Sequence, residues 1–457
     1  MKKIFILLCL LLAACATDTL NQSNSADPTP VSASNRLLYK YEYSEMCRGC
    51  HTEIYEQYKD SMHANSFSNP IFNAQYFKEV VPRALKDSKF LADARKCLMC
   101  HSPVVYMNYS GLVSTPQQAA NYESGVTCDF CHTLSGYADN GDYLQNPSGK
   151  KQGPLQNTTH HAEYSGFLQV GDYCGRCHNA TSHNGLEVKS TFYEWQESSF
   201  GKRNLVCQEC HMNKFGILKN GIAEFQSGVA AHLNIGSISV DQKKHDKLYT
   251  HAFPGAHSVS QLEDALNIEF RVGSRSADDK GRFAFGIFVN NERSGHKMPS
   301  GSSDLRFMWL SVTAKAEDGT QFPVTLLPKI RRGAVDYSVA GASPDDSEVL
   351  GNDVPLGSRL YRSVFVDAKG HQSLFHYDAV KNVFDNRLNA GEIRSEAFEI
   401  KLPKGFAGHI TLSASLSYLA APSSYAKHLD VPDFKPVTVA SHKKIISLVA
   451  NSATPRK

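Results

Sequence analysis

Residues 47–64 read CRGCHTEIYEQYKDSMHA. Cys47 and Cys50 are separated by two residues, His51 follows at once, and a second histidine stands at His63. A pair of thiols at this spacing serves as a redox dithiol, as half of a zinc site or as a point of haem attachment. Repetition decides among them. The chain of 457 residues holds 12 cysteines, and ten of these fall into five copies of one pattern: Cys47-Cys50-His51, Cys97-Cys100-His101, Cys128-Cys131-His132, Cys174-Cys177-His178 and Cys207-Cys210-His211. A thioredoxin-like site uses one dithiol, zinc knuckles come in pairs, and structural disulfides need no histidine after each second cysteine. Cys-x-x-Cys-His is the attachment pattern of c-type haem. The two thiols form thioethers along one porphyrin edge, and the adjacent histidine reaches the iron. The sequence therefore predicts five covalently attached c-type haems, with His51, His101, His132, His178 and His211 as proximal iron ligands.

The motifs begin at residues 47, 97, 128, 174 and 207, so long and short steps alternate, which suggests haems arranged in pairs. From Cys47 to His211 there are 165 residues, or 33 per haem. That is too little chain for ordinary layers of helix and sheet, so haems wrapped by helices and loops must form much of the core. HTEIYEQYKDSMHANS (51–66) and KSTFYEWQESSFGK (189–202) read as short helices, and NPSGKKQGPLQNTT (146–159) reads as loop.

Near Gln261 the character changes. No cysteine follows, and period-two alternation takes over. Phe283, Phe285, Ile287 and Val289 share a face, as do Phe398, Ile400 and Leu402, and Ile410, Leu412, Ala414, Leu416 and Tyr418. Residues 305–327 read as two strands around an Asp318-Gly319 turn. The expected fold is a mainly α and irregular multihaem domain over 37–260, then an antiparallel β-sandwich of immunoglobulin type over 261–450, with a tail at 451–457.

The N-terminus, MKKIFILLCLLLAAC, has two lysines, an apolar run and small residues, which reads as an export signal over 1–14. Leu12-Ala13-Ala14-Cys15 resembles a lipoprotein processing site, making Cys15 the expected lipidated residue; the plainer alternative is an ordinary signal with an incidental cysteine. Residues 15–36 are polar and read as a disordered tether. About 20 such residues span roughly 25 Å, enough to hold a globular body just off a membrane. The expected location is the bacterial cell envelope, periplasm or cell surface, with Cys15 anchored in the outer membrane. With 48 Lys and Arg against 45 Asp and Glu, the net charge of +3 is near balance and argues neither for nucleic acid nor for a strongly acidic partner, and with no basic run interleaved with aromatics no nucleic-acid partner is expected.

His63 lies 12 residues after His51, which on a continuous helix is about 18 Å. Two axial ligands of one iron lie on opposite faces of one porphyrin, so His63 is expected to reach a different haem from that of Cys47. Five of the 19 histidines are proximal, and sequence context ranks His63, His160 or His161, His232, His251 and then His257, and His296 as distal ligands. His183, His371, His376, His409, His428 and His442 read as surface histidines. Met62 and Met212 are the methionine alternatives.

Tyr55, Tyr58, Ser61, His63 and Ala64 after the first motif, with GVTCDFCH, YCGRCHN, FYEWQESSF, CQECHM, HAFPGAH and GHKMPSG in order, resemble the multihaem cytochrome c family typified by the tetrahaem electron carrier of ammonia-oxidising bacteria. The resemblance covers residues about 41 to 311. It implies closely packed bis-histidine haems serving electron transfer, and carries His63, His161, His251 and His296 over as distal ligands. The fifth motif and the long β-rich segment depart from that pattern. The functional expectation is an exported, lipid-anchored pentahaem electron-transfer protein of anaerobic respiration, with other redox proteins as donor and acceptor. The alternative is a multihaem reductase or oxidase of a nitrogen or sulfur compound with one open haem. Pentahaem nitrite reductases typically mark that haem with lysine in place of the motif histidine, whereas all five motifs here end in histidine.

Overall fold

The computed structural model describes residues 40–450 apart from 156–161, 217–221, 232–233, 236–237, 240–243, 257, 264 and 328–334. The expected signal, tether and tail, Cys15, and the candidate ligands His160, His161, His232 and His257 lie outside the described residues.

The motif-bearing half is built of short helices: α1 (Ser44–Arg48), α2 (Thr52–Tyr58), α3 (Ser88–His101), α4 (Cys128–Thr133), α5 (Asp172–Gly175), α6 (Thr191–Glu197) and α7 (Cys207–His211). Each motif contributes to or borders a helical turn for a chemical reason. Residues three and four apart share a helix face, so a turn presents both thiols and the histidine to one side. Side chains fix where some of these turns begin: Asp87 accepts from the Lys89 amide ahead of α3, and Thr127 accepts from the Phe130 amide ahead of α4.

Two local expectations are refined. The helix expected over 51–66 stops at Tyr58, and turns carry the chain past His63. Within the expected loop at 146–159, Lys151–Gly153 is extended and pairs in parallel with Ala162–Tyr164. That extended backbone lets the Gln152 carbonyl accept from His132 Nδ1 at 2.6 Å. The apolar core here is rich in aromatics, with Phe67, Phe72, Tyr76, Phe130 and Tyr143 buried together. Phe375, from the β-rich half, belongs to the same cluster.

Among the described residues the β-rich half has two main antiparallel sheets and a small two-stranded one, Ser363–Val366 with Lys381–Asp385. Strands β1 (Asn267–Arg271), β2 (Arg282–Asn290), β5 (Val324–Leu326) and β7 (Ile393–Lys401) make the first, in the order β1-β2-β7-β5. The second is β4 (Gln321–Phe322), β3 (Phe307–Ala316), β8 (Gly408–Leu419) and β9 (Val437–Leu448), with β6 (Arg359–Tyr361) also paired to β3. Phe285 stands opposite Phe398, and Leu310 opposite Leu416. The inward residues of both sheets meet in one apolar core, as alternation predicts for sheets with one buried face. The second strand expected after the Asp318-Gly319 turn is divided. Gln321–Phe322 pairs with β3, whereas Val324–Leu326 pairs with β7 in the other sheet. Pro323 sits at the switch, where its missing N–H cannot join a ladder.

One ion pair crosses this core. Arg359 Nε of β6 donates to Glu396 Oε2 of β7 at 2.9 Å, and their side chains are 4 % and 2 % exposed. Replacing Glu396 by Ala leaves the guanidinium buried without its carboxylate. The β-rich half should lose roughly 3–5 kcal/mol, read as a lower urea midpoint by far-ultraviolet circular dichroism. An unchanged midpoint would show that the pair contributes nothing to holding the sheets together.

Candidate haem-binding sites

The ten motif cysteines are each half-buried. Sulfurs of different motifs lie close to one another: Cys47 to Cys128, Cys100 to Cys177, and Cys174 to Cys207. The first motif therefore adjoins the third, the second adjoins the fourth, and the fourth adjoins the fifth. Cys131 of the third motif and Cys97 and Cys177 of the second and fourth pack against one apolar cluster, which joins these groups, so the five motifs are gathered together rather than strung along the chain. A cavity of about 780 Å³ runs beside them, lined by Cys97, Cys100, His101, Cys131, Cys177 and His178 among others.

Three motif histidines face a histidine from elsewhere. The ring centroids of His178 and His63 are 6.3 Å apart, those of His132 and His251 are 6.2 Å apart, and those of His211 and His296 are 6.3 Å apart. Their interplanar angles are 64°, 26° and 9° in that order. These spacings test the fit of a haem. An imidazole nitrogen lies about 2.0 Å from a first-row metal and about 1.1 Å from its own ring centre, so two imidazoles on opposite faces of one iron have centroids about 6.2 Å apart. Direct stacking of two rings would bring them closer, as Phe72 and His101 show at 3.8 Å and 8°. The three pairs keep a spacing at which the two imidazoles could hold an iron between them.

Hydrogen bonding supports the same fit. A metal-binding imidazole usually engages its second nitrogen with a carbonyl or carboxylate. His51 Nδ1 meets the Ala230 carbonyl at 2.7 Å, His101 Nδ1 that of Ser66 at 3.0 Å, and His132 Nδ1 that of Gln152 at 2.6 Å. His251 Nδ1 meets the Tyr249 carbonyl at 3.1 Å, and His296 Nδ1 that of Lys297 at 2.9 Å. In each case the contact is made by Nδ1. Burial is the leading cause that lowers the proton affinity of His63 and His101 to about 3 and of His211 and His251 to about 4. Burial likewise lowers that of His132 and His178. All six are neutral imidazoles at physiological pH, the form that binds iron.

The backbone explains how the partners arrive. The Met62 amide donates to the Phe253 carbonyl at 3.0 Å, and the His63 and Phe253 rings stand 4.3 Å apart, so the segments carrying His63 and His251 pack together. The Val126 amide donates to the His63 carbonyl at 2.9 Å, bringing the approach to the third motif across the same backbone. Gly125 makes that crossing possible: its φ is +88°, and an added Cβ would lie 2.2 Å from the Ala64 carbonyl oxygen. His296 sits in the loop between β2 and β3. There, buried Asn291 donates through Nδ2 to the carbonyls of His296, Leu388 and Asn389 at 2.9–3.0 Å.

Two expectations are corrected. His442 is half-buried, its ring 5.6 Å from that of Phe270. His376 is not a surface histidine: it is half-buried and lines the cavity beside His101. Its Nδ1 meets Asp304 Oδ2 at 3.1 Å, and Asp304 is 2 % exposed. The neighbouring Tyr377 hydroxyl lies 3.1 Å from Cys97 Sγ. Nothing local in the sequence flags this segment, because its neighbours come from the far half of the chain. Among the described residues, His101 faces no imidazole at the spacing of the three pairs.

A family profile described as cytochrome c554 and c-prime matches residues 46–133, which span the first three motifs. A penta-heme cytochrome c552 from Thermochromatium tepidum has a similar structure, with a TM-score of 0.60 and 22 % identity over 89 % of this chain and 99 % of that one. The chain thus has the fold of a multihaem cytochrome c, followed by a β-rich region of antiparallel sheets. The seventh ScaB type I cohesin from Pseudobacteroides cellulosolvens also aligns, at 13 % identity over 42 % of this chain and 97 % of that one, but its TM-score of 0.19 carries no argument. No curated protein matches the chain.

Replacing His63 by Ala should convert one low-spin haem to high-spin. The affected haem should be the one attached at Cys174 and Cys177, with the haem of Cys47 and Cys50 undisturbed. Electron paramagnetic resonance combined with haem-peptide mapping reads both parts. An unaltered spectrum would remove His63 from the ligand set.

Proposed function

We propose that this chain is an exported, lipid-anchored electron-transfer protein that carries five covalently attached c-type haems in one cluster. The observation that carries the reading is the set of three imidazole pairs at axial spacing, each joining a motif histidine to a histidine from a separate segment. The bound haems supply one-electron redox chemistry. The protein's part is to hold neutral imidazoles rigidly on both faces, so that electron transfer requires little change in ligand geometry. Two histidines favour lower potentials than histidine with methionine, which suits anaerobic respiration and a redox protein as donor and another as acceptor. The closeness of sulfurs of different motifs supports haem edges lying near one another. Attachment to the outer membrane through lipidated Cys15 rests on the lipoprotein-like segment at Leu12–Cys15 and the polar stretch after it. Among the described residues no helix is long and apolar enough to cross a membrane.

A second reading, an enzyme with one open haem, draws on the second motif. His101 faces Phe72 rather than an imidazole among the described residues, and His376, held by Asp304, lines the same cavity. That arrangement would leave room for an exogenous ligand and set a hydrogen-bonding group nearby.

Intact mass spectrometry of the mature protein should show five haem additions and a lipid on Cys15, and Cys15→Ser should release the protein from membranes. Four additions or fewer would reject the pentahaem reading. Unchanged membrane retention would reject the anchor. Carbon monoxide added to the ferrous protein should leave the spectrum almost unchanged for a carrier with every iron doubly ligated. Binding at one haem equivalent, lost when the Cys97–Cys100 motif is removed, would favour the enzyme.

A further inference from the structure

Glu194, on α6, is a buried carboxylate with no place in the motifs. Its side chain and that of Arg387, from the β-rich half, are each 5 % exposed. Four donors converge on it. Oε1 accepts from Arg387 Nη1 at 2.8 Å and from Ser190 Oγ at 2.8 Å. Oε2 accepts from the Lys297 amide at 3.2 Å and from Ser300 Oγ at 3.0 Å. Two of these donors, Lys297 and Ser300, belong to the loop that carries His296. Lys297 is also the residue whose carbonyl engages His296 Nδ1. The path from Glu194 to the axial imidazole thus runs through one residue.

Charge is arranged with equal care. Arg387 makes a second, two-pronged contact with Asp385 at 3.0 Å, and Lys297 Nζ meets Asp385 Oδ2 at 3.0 Å. Two carboxylates and two cations therefore balance around the His296 loop. Removing either charge of the Glu194–Arg387 pair leaves an unbalanced charge in a poorly screened setting.

We propose that Glu194 is a positioning residue for the haem shared by His211 and His296: its carboxylate holds the amide of Lys297, the residue whose carbonyl orients His296, and its negative charge lowers that haem's reduction potential. A nearby negative charge stabilises the oxidised state over the reduced one, because oxidation leaves the iron centre more positive. The neutral amide of Glu194→Gln preserves the shape and removes the charge. This inference rests on the reading that His296 is an axial ligand, and the test separates the two.

The test is a redox titration of the full haem-loaded protein, followed by electron paramagnetic resonance. His296→Ala first identifies the relevant low-spin signal by its loss. In Glu194→Gln that same signal should persist but titrate higher, by about tenfold in its reduction equilibrium, or about 59 mV for one electron. The other haems should keep their potentials. Glu194→Asp, which retains the charge, should stay near the wild-type value, and Ser300→Ala, which removes the hydrogen bonds to Glu194 and Thr191 and no charge, should not reproduce the shift. Arg387→Gln removes the opposing cation and should move the same haem lower, which gives a test of opposite sign should the Glu194 variant fail to load five haems. An unmoved potential in a loaded variant, or an equal shift of all haems, would overturn the inference. If His296→Ala loses no low-spin signal, the ligand assignment fails instead.

Discussion

A gap of 6.2–6.3 Å between imidazole rings is the constraint on which the arrangement depends. It is too wide for stacking and too narrow for an intervening side chain. To keep it, two segments must be held to within a fraction of an ångström, and in each pair they come from distant parts of the chain. The paired positions are separated by 115, 119 and 85 residues. Helices of one or two turns cannot supply that precision alone. Carbonyls on Nδ1, the crossing at Gly125 and the Asn291 clamp behind His296 supply it instead. Each is a backbone-directed contact, so each constrains ring orientation as well as position.

The two halves of the chain meet at the same kind of point. His296 reaches the fifth motif from a β-sandwich loop, and Phe375, His376 and Tyr377 pack beside the second motif from the same half. The buried Glu194–Arg387 pair lies where the first of these contacts is made. A buried ion pair is weak evidence for stability, since desolvation offsets the attraction. Its value here is directional: it locates one loop against one helix. The β-rich region thus contacts the motif residues through named side chains.

Much of this was legible in the sequence, for definable reasons. Cys-x-x-Cys-His is a local pattern whose chemistry is complete within five residues, and strand alternation is local too, so the motif residues and the apolar faces at Phe283–Val289 and Ile410–Tyr418 could be read directly. The distance argument for His63 used only helix rise. Which motif it meets was not legible, because that depends on how chain segments more than 100 residues apart are brought together. His376 was read as a surface residue because its burial comes from Asp304 and from the haem-motif half, neither adjacent in sequence. The division of the strand at Pro323 left a clear mark, the proline itself, but the choice of a different sheet for each part depends on β3 and β7. Glu194 stands in the FYEWQESSF stretch, but nothing there marks its carboxylate as buried: a glutamate in a short helix looks like any solvated one until Arg387 is placed against it.

The central claim is that three irons sit between histidines drawn from separate segments. Anomalous diffraction at the iron edge from crystals of the haem-loaded protein tests it most directly. The account predicts five iron peaks, three of them midway between the rings of His63 and His178, of His132 and His251, and of His211 and His296. An iron bonded to one member of a pair, with the other ring turned away or replaced by a different ligand, would contradict it.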